Sequence, residues 1–169
     1  MKKTRQKDRD VPPPGSDPWN EIRPHLWMGG HCWTDAHGEL QPAVVTDQFD
    51  LVVSLYVLAG HGPPDGIEHR ILEIPDRPLA ASQLEDVAHL AEFVAHAVHA
   101  NRTTLVRCYA GLNRSGLVTA QALVHLGMDV GDAIELLRRR RSPFALHNET
   151  FEAYLRTGLE VSALLSGLS

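Results

Sequence analysis

The sequence predicts a single α/β domain in which a central mixed, largely parallel sheet is flanked by helices. Short runs rich in β-branched residues alternate with longer segments whose apolar residues recur at helical spacing, and the second half of the chain is mostly helical in pattern. Length supports the same prediction, because a chain of 169 residues can bury about two thirds of the surface that its unfolded form exposes. Such a chain forms a core without disulfide or metal staples.

Strands dominate the pattern of the first half. The stretch 51–57 is dense in apolar and β-branched residues and stops at a loop of Gly and Pro, which predicts a buried strand. Pro75 and Pro78 end the strand that follows, because proline lacks the N–H group that a strand ladder needs. In chain order the predicted elements are a strand over 22–28, a short helix over 42–48, and strands over 51–57 and 67–74.

Helices dominate the second half, and their ends are marked by suitable residues. Ser82 and Glu85 have the spacing of a capping box, and Asp129 and Asn148 are of the type that helices favour at the N-cap. A tight loop over 108–114 joins a strand to a helix. In chain order the predicted elements are a helix from about 82 to 100, a strand over 103–107, a helix over 115–126, a helix from 129 to about 140, and a last helix from 148 to at least 156.

The first 18 residues differ from the rest of the chain. They carry five basic and three acidic side chains, and apart from proline their only apolar side chains are Met1 and Val11. Such a segment buries too little apolar surface to offset the entropy of ordering. We therefore predict a disordered basic, proline-rich tail over 1–18 and one domain over 19–169.

Composition excludes several classes of function for the predicted domain. All three lysines lie within the first seven residues, so the domain has no lysine for a Schiff base, a general base or a Walker-type phosphate contact. Its excess of acidic residues disfavours nucleic acid as a partner. No apolar run reaches the ~20 residues that cross a bilayer, and Cys32 and Cys108 form no disulfide framework. We expect a monomeric protein in the reducing cytoplasm.

The segment from Cys108 to Gly116 is the most informative in the chain. It reads Cys-Tyr-Ala-Gly-Leu-Asn-Arg-Ser-Gly and joins an apolar strand to an apolar helix. A loop that curls into a helix N-terminus points successive N–H groups at one spot, which makes an anion-binding cradle. Thiols at such a helix start ionise readily, which predicts that Cys108 is a nucleophile rather than an inert buried thiol. Arg114 can hold phosphate oxygens through two N–H groups, and Ser115 can donate a hydrogen bond to the sulfur.

This segment resembles the His-Cys-x5-Arg-Ser/Thr signature of the cysteine-dependent protein phosphatases, and specifically of their small dual-specificity branch. The resemblance extends to the opening strand over 21–29, to Ile74-Pro75-Asp76 at the place of the general-acid loop, and to the C-terminal helices between 133 and 155. It implies a phosphatase-type loop between strand and helix, with a catalytic set of Cys108, Arg114, Asp76 and Ser115. It also implies that phosphate is bound by Tyr109, Ala110, Gly111, Leu112, Asn113 and Arg114.

One residue departs from the signature, because Arg107 stands where the family has His. In the family that His helps to order the loop and tune the thiol, so the substitution bears on the rate and on the pH optimum. Two interpretations of Arg107 remain open. It is either a positive charge near the thiol or a solvated arginine at the end of a strand.

Asp76 is the candidate general acid. It lies 32 residues before Cys108 on a loop stiffened by proline. The resemblance implies that its carboxyl group protonates the departing oxygen and then accepts a proton from water. An ordinary turn aspartate is the alternative interpretation. Asp86 is the nearest rival, but it falls inside a predicted helix and is less able to swing over a substrate.

Several other polar residues favour structural interpretations. His89, His96 and His99 share a helix face with two glutamates, yet one helix stripe offers no clear fourth ligand, so we expect neither a metal nor a cofactor. Three further groups are expected at structural positions: His31 and Cys32 in a surface turn, Arg138 to Arg141 at a solvated helix end, and His147 and Asn148 in a turn and a helix cap.

The sequence thus predicts a phosphate monoester hydrolase of dual-specificity type that acts through a phosphocysteine intermediate. Its expected partners are phosphorylated proteins or small phosphate monoesters. One alternative is a phosphatase-like module that binds phosphorylated partners with little turnover, because Arg107 replaces the signature His. Another is a rhodanese-like sulfur transferase or an arsenate reductase, which also combines a cysteine with an anion-binding loop and needs no equivalent of Asp76.

Overall fold

The computed structural model describes residues 12–168. Within this range the strands are β1 (Trp19–Arg23), β2 (Leu26–Gly29), β3 (Cys32–Thr34), β4 (Leu40–Pro42), β5 (Leu51–Ser54), β6 (Glu68–Ile71) and β7 (Thr104–Arg107). The helices are α1 (Ala81–His99), α2 (Arg114–His125), α3 (Val130–Arg140), α4 (Glu149–Thr157) and α5 (Leu159–Ser166).

Five of the strands form the main sheet, in the order β1-β2-β7-β5-β6, and β3 and β4 form a separate hairpin. Strands β2, β7, β5 and β6 run parallel, while β1 pairs antiparallel with β2. The predicted mixed, largely parallel sheet is confirmed. Ligands of such sheets bind beyond the carboxyl ends of the strands, so the loop that follows the central strand β7 lies at the expected place for a site.

The two faces of the sheet are covered by different parts of the chain. Side chains alternate along a strand, so Val106 faces a large core that contains buried residues of all five helices. Leu105 faces the opposite side, where Val45 and Phe49 cover it. The described residues of this second cluster include none from a helix. The helices therefore pack on one face, and the segment 43–50 covers the other.

The predicted short helix over 42–48 is wrong. Its first residue ends β4, and the residues after it are irregular. The N–H group of Val45 donates to the carbonyl of His61 at 3.0 Å instead of to a helical partner. The ring of Phe49 packs edge-on against Trp19, with centroids 5.3 Å apart. Contacts with the sheet and with a distant loop determine the conformation of this segment. A local apolar pattern contains no information about such contacts.

Two boundaries differ from the predictions because the chain turns where a single element was expected. The strand predicted over 22–28 is two strands, since Pro24 and His25 form a turn in which His25 has a left-handed φ of 71°. Helix α5 was not predicted, and it follows a break at Gly158, whose φ of 99° also favours glycine. The remaining predicted strands and helices occur with ends within three residues of those expected.

The helix caps are confirmed at two of three positions. Asp129 accepts a hydrogen bond from the N–H of Asp132 at 3.3 Å, and Asn148 accepts one from Phe151 at 3.2 Å. The capping box predicted at Ser82 is wrong, because α1 begins earlier. There the side-chain oxygen of Gln83 accepts the N–H of Ala80 at 2.8 Å.

The N-terminal segment meets the domain before residue 19. The N–H group of Thr34 donates to the carbonyl of Gly15 at 2.9 Å, and the N–H group of Gly30 donates to the carbonyl of Pro18 at 3.1 Å. Residues 15–18 therefore contact the domain, although the sequence placed them in the tail. The rest of the predicted tail, residues 1–11, lies outside the described residues. No helix within 12–168 is long and apolar enough to cross a membrane.

Candidate active site

The candidate nucleophile lies where β7 gives way to α2. Cys108 is 2% exposed, and its backbone N–H donates to the carbonyl of Gly29 on β2 at 3.3 Å. Its Sγ lies 3.2 Å from Oγ of Ser115, which is fully buried in the first turn of α2. The predicted pair of thiol and hydroxyl is therefore in hydrogen-bond contact, and the serine can donate to a thiolate.

The loop between Cys108 and α2 turns its carbonyl groups away from its own centre. Every one of these carbonyl oxygens accepts a hydrogen bond from outside the loop or from α2. The donors are the N–H of His31 to Tyr109 (2.8 Å), the guanidinium of Arg141 to Ala110 (3.2 Å) and Gly111 (3.1 Å), and the N–H groups of Leu146 to Leu112 (3.0 Å) and of Leu117 to Asn113 (2.8 Å).

The N–H groups of the same loop show the opposite behaviour. None of those over 109–113 donates to a carbonyl or side chain within the part of the chain that the structure describes. The N–H groups of the first turn of α2 also lack helical acceptors, as in any helix. Gly111 makes the curl possible with a φ of 73°, and a Cβ there would lie 2.5 Å from the carbonyl carbon of Gly29. The result is a cradle of unpaired N–H donors between Cys108 and α2, suited to an anion.

Arg114 lies at the end of this cradle with donors to spare. Its Nη1 donates weakly to the carbonyl of Ile74 at 3.4 Å, and its guanidinium carbon lies 5.2 Å from the centroid of the Tyr56 ring. Its Nε is buried and has no hydrogen-bond partner among the described residues. Because an unpaired buried donor is costly, the arrangement favours a ligand with several acceptor oxygens.

Asp76 is brought to the rim of the cradle from the loop after β6. Its Oδ2 accepts a hydrogen bond from Nδ2 of Asn113 at 3.0 Å, and its Oδ1 accepts one from Nδ2 of Asn148 at 2.8 Å. The rival, Asp86, lies on α1, and none of the described hydrogen bonds joins it to the loop. The structure therefore brings together Cys108, Ser115 and Asp76 around one loop, as the sequence predicts.

A sequence profile decides the family. The profile described as cyclin-dependent kinase inhibitor 3 (CDKN3) matches residues 36–134, a range that includes Asp76 and the whole segment from Cys108 to Ser115. That range is more than half of the 169 residues. The chain belongs to the CDKN3 family. No curated protein sequence matches it.

Solved structures of phosphatases have the same fold as this CDKN3-family chain. Human DUSP28 matches with a TM-score of 0.66 and 22% identity over 90% of this chain and 99% of its own. OH1 from the Orf virus is a tyrosine phosphatase described as having triple substrate specificity. It matches with a TM-score of 0.62 and 18% identity over 87% of this chain and 90% of its own. The kinase associated phosphatase (KAP) was solved with its catalytic-site cysteine substituted by serine. It matches with a TM-score of 0.58 and 17% identity over 88% of this chain and 95% of its own. With the family assignment, the chain is a cysteine-dependent protein phosphatase of dual-specificity type.

Arg107, at the position of the family's signature His, is not solvated. It is fully buried, and its guanidinium donates to Oγ of Ser54 at 3.1 Å, to the carbonyl of His61 at 3.0 Å and to that of Gly62. It has no carboxylate partner among the described residues. Burial accordingly lowers the pKa of Arg107 to about 10. Its described hydrogen bonds fasten the 61–62 loop to β7, which corrects the interpretation of a solvated arginine. The effect of its positive charge on the neighbouring Cys108 stays a prediction.

His31 is also buried, contrary to the predicted surface turn. Its ring is fully buried, and Nε2 donates to the carbonyl of Tyr56 at 2.6 Å. Burial is the main reason why the pKa of His31 falls to about 4, and the charge of Arg107 lowers it further. His31 is therefore neutral at physiological pH. Its backbone N–H donates to the carbonyl of Tyr109 in the cradle. No local sequence pattern predicts this contact.

The arginine run at the end of α3 is partly buried, although a solvated run was predicted. Arg141 is 7% exposed, and it donates to the cradle and also to the carbonyl of Asp17 and Oδ1 of Asn20, both at 2.8 Å. Burial lowers the pKa of Arg141. Arg138 donates to Glu152 at 2.8 Å, and only the two arginines between them are exposed. Because these partners are distant in sequence, spacing gives no signal for them.

Two further predictions concern histidines and a cap. No group of three or more potential metal ligands occurs within residues 12–168, so the α1 histidines form no cluster there. His147 lies at the site, since its Nε2 is 3.0 Å from Nδ2 of Asn113. Asn148 caps α4 as predicted, but its amide also reaches Asp76, which the sequence analysis missed. The sequence contains one signal for this contact, because Asn148 is a favourable N-cap residue close to a predicted loop.

Proposed function

We propose that this chain hydrolyses phosphate monoesters of proteins through a phosphocysteine intermediate on Cys108. The observation that carries the proposal is the cradle itself. The carbonyl groups over 109–113 all accept hydrogen bonds from other parts of the chain, while the N–H groups over 109–113 have no acceptor among the described residues. Such a set of fixed donors stabilises the negative charge of a phosphoryl group in its transition state without reorganising.

In the first step Sγ of Cys108 attacks phosphorus and the ester P–O bond breaks. The N–H groups of Tyr109, Ala110, Gly111, Leu112 and Asn113, together with Arg114, hold the three equatorial oxygens. Asp76 donates its proton to the departing oxygen, so the alcohol or phenol leaves as a neutral molecule. In support of this role, Asp76 lies within hydrogen-bond distance of Asn113, a residue of the loop itself.

In the second step water attacks phosphorus and the P–S bond breaks. The carboxylate of Asp76 accepts the proton of that water, and inorganic phosphate leaves. Ser115 donates a hydrogen bond to the departing thiolate, a role that its 3.2 Å contact with Cys108 supports. Each catalytic group returns to its starting protonation state, and no metal takes part.

We further propose that the substrates include phosphotyrosine as well as phosphoserine or phosphothreonine. In support of this breadth, Tyr109 in the loop is 42% exposed. The Orf virus relative, whose description includes triple substrate specificity, supports the proposal. The two described cysteines are free thiols, which suits a reducing cytoplasm.

The test is turnover of p-nitrophenyl phosphate together with trapping of the intermediate. Cys108→Ser is expected to abolish turnover and to leave phosphate-ester binding intact, because a hydroxyl fits the same space but is a weaker nucleophile. Cys32→Ser is the matched control, since Cys32 is also a buried free thiol outside the loop. Residual activity of Cys108→Ser within tenfold of the parent contradicts the proposal. Tight binding by the parent without turnover indicates a binding module, and sulfur transfer from thiosulfate indicates a rhodanese-like enzyme.

A further inference from the structure

We infer that Asn113 and Asn148 are positioning residues that fix the carboxyl group of Asp76 over the phosphate cradle. The inference rests on the proposed function, because it takes Asp76 as the general acid. It goes beyond that function by naming what sets the geometry of the acid. Both side chains reach Asp76 from elements distant in sequence, one from the cysteine loop and one from the start of α4.

The orientation of the Asn113 amide is set by its neighbours. Its Oδ1 accepts the backbone N–H of Asn148 at 2.9 Å. Since a backbone N–H is always a donor, the oxygen must lie on that side, and Nδ2 must lie on the other. The two hydrogens of Nδ2 then face Oδ2 of Asp76 and Nε2 of His147, each at 3.0 Å. All the hydrogen-bonding capacity of Nδ2 is used, and Asn113 is only 4% exposed.

The orientation of the Asn148 amide is set in the same manner. Its Oδ1 accepts the N–H of Phe151 at 3.2 Å as the N-cap of α4. Nδ2 must therefore point the other way, where it lies 2.8 Å from Oδ1 of Asp76. Two backbone N–H groups thus determine that Asp76 receives an N–H donor on each of its oxygens.

These contacts have a consequence for proton transfer. Each carboxyl oxygen offers two lone-pair directions, and the amides use one direction on each. A proton on the carboxyl group of Asp76 must therefore occupy one of the lone-pair directions that the two amides do not use. Asn113 directly precedes Arg114 in the cradle, so one residue sets the distance between the acid and the bound phosphoryl group. Because general acid catalysis depends on such placement, loss of the Asn148 amide should weaken proton donation and leave phosphate binding intact.

The substitution Asn148→Ser separates positioning from helix capping. Serine is as good an N-cap as asparagine, so α4 keeps its cap, but the donor to Asp76 is lost. The control is Asp129→Ala, which removes the N-cap of α3 and leaves the Asp76 contacts in place. Asn113→Ala is the second variant. Each protein is assayed with phenyl phosphate, whose leaving group needs a proton, and with a strongly activated aryl phosphate, whose leaving group does not.

For Asn148→Ser we expect kcat with phenyl phosphate to fall about tenfold, part of the 10²–10⁴ that a general acid contributes. With the activated ester the change stays within twofold, and the melting temperature matches that of the parent. Asp129→Ala lowers the melting temperature without this dependence on the leaving group. In an Asp76→Asn background, Asn148→Ser should cost nothing further, because its effect acts through Asp76.

Two results overturn the inference alone: an equal loss with both substrates, or an undiminished loss in the Asp76→Asn background. Either can occur while Asp76→Asn itself shows the expected dependence on the leaving group, which leaves the proposed function standing. If Asp76→Asn is harmless with both substrates, Asp76 is not the acid, and the proposed function and the inference fail together.

Discussion

Acid should destabilise this protein earlier than its carboxyl groups require, and the cause is His31. Its ring is fully buried and gives its Nε2 proton to the carbonyl of Tyr56. In the folded state its pKa is about 4, against 6.5 for a solvated histidine. Between these two values the unfolded chain binds a proton that the folded chain does not. The free energy of unfolding therefore falls as the pH falls through 6.5, and this contribution levels off below pH 4.

The size of the effect follows from the two pKa values. At pH 5.5 the unfolded histidine is mostly protonated and the folded one is almost wholly neutral. The linkage relation then gives a loss of about 1 kcal/mol relative to pH 8. The full loss on reaching pH 4 and below is about 3 kcal/mol. That is a large share of the stability of an ordinary domain.

The assay is urea unfolding at pH 8, 6.5 and 5.5 on the parent and on His31→Gln. Glutamine does not titrate, and its amide can still donate to the carbonyl of Tyr56. We expect the parent to lose about 1 kcal/mol more than the variant between pH 8 and 5.5. His69, whose pKa is also lowered by burial, is present in both proteins and cancels in the comparison. Parallel pH curves for the two proteins would refute the argument, because they would show that His31 titrates alike in the folded and unfolded chains.

Four further outcomes are expected. Arg114→Lys should lose nearly as much kcat as Arg114→Ala, because the contact needs a planar pair of N–H groups; a lysine variant with most of the parent's kcat would show that charge alone suffices. Asp76→Asn should lower kcat by about 10²–10⁴ with a phosphotyrosine peptide and by less with an activated aryl phosphate; the same pattern in Asp86→Asn would move the acid to α1. Arg141→Leu should lower the free energy of unfolding by about 3 kcal/mol or more, since it strands buried acceptors, and urea unfolding at the parent's midpoint would contradict this. Peroxide should oxidise Cys108 faster than Cys32, because burial raises the pKa of the Cys32 thiol; equal oxidation rates of the two cysteines, measured by mass spectrometry, would contradict this.

The parts of the molecule that the sequence predicted well depend on neighbours in the chain. The strand, loop and helix around Cys108 follow from an apolar run, a glycine and a helix start within about 25 residues. The caps at Asp129 and Asn148 act on N–H groups three residues away. Contacts between residues close in the chain produce recognisable sequence spacings. The positions of the nucleophile loop and of most helices could therefore be predicted.

The parts that could not be predicted depend on partners far along the chain. Arg141 bonds to Asp17 and Asn20, and Arg107 bonds to the 61–62 loop. Polar residues of these types are usually exposed, so a sequence alone assigns them to the surface. The same reason explains the predicted helix over 42–48, where contacts of Phe49 with the far side of the sheet override the local pattern.

The contacts of Arg141 with the cysteine loop form late in the synthesis of the chain. Proteins emerge from the ribosome N-terminus first, so Cys108 and Arg114 leave it before Arg141, which holds two of the loop's carbonyl groups. The same arginine also needs Asp17, so both ends of the domain must have met before the loop is fastened. The cysteine loop therefore obtains its full set of carbonyl contacts only after nearly the whole domain has been synthesised.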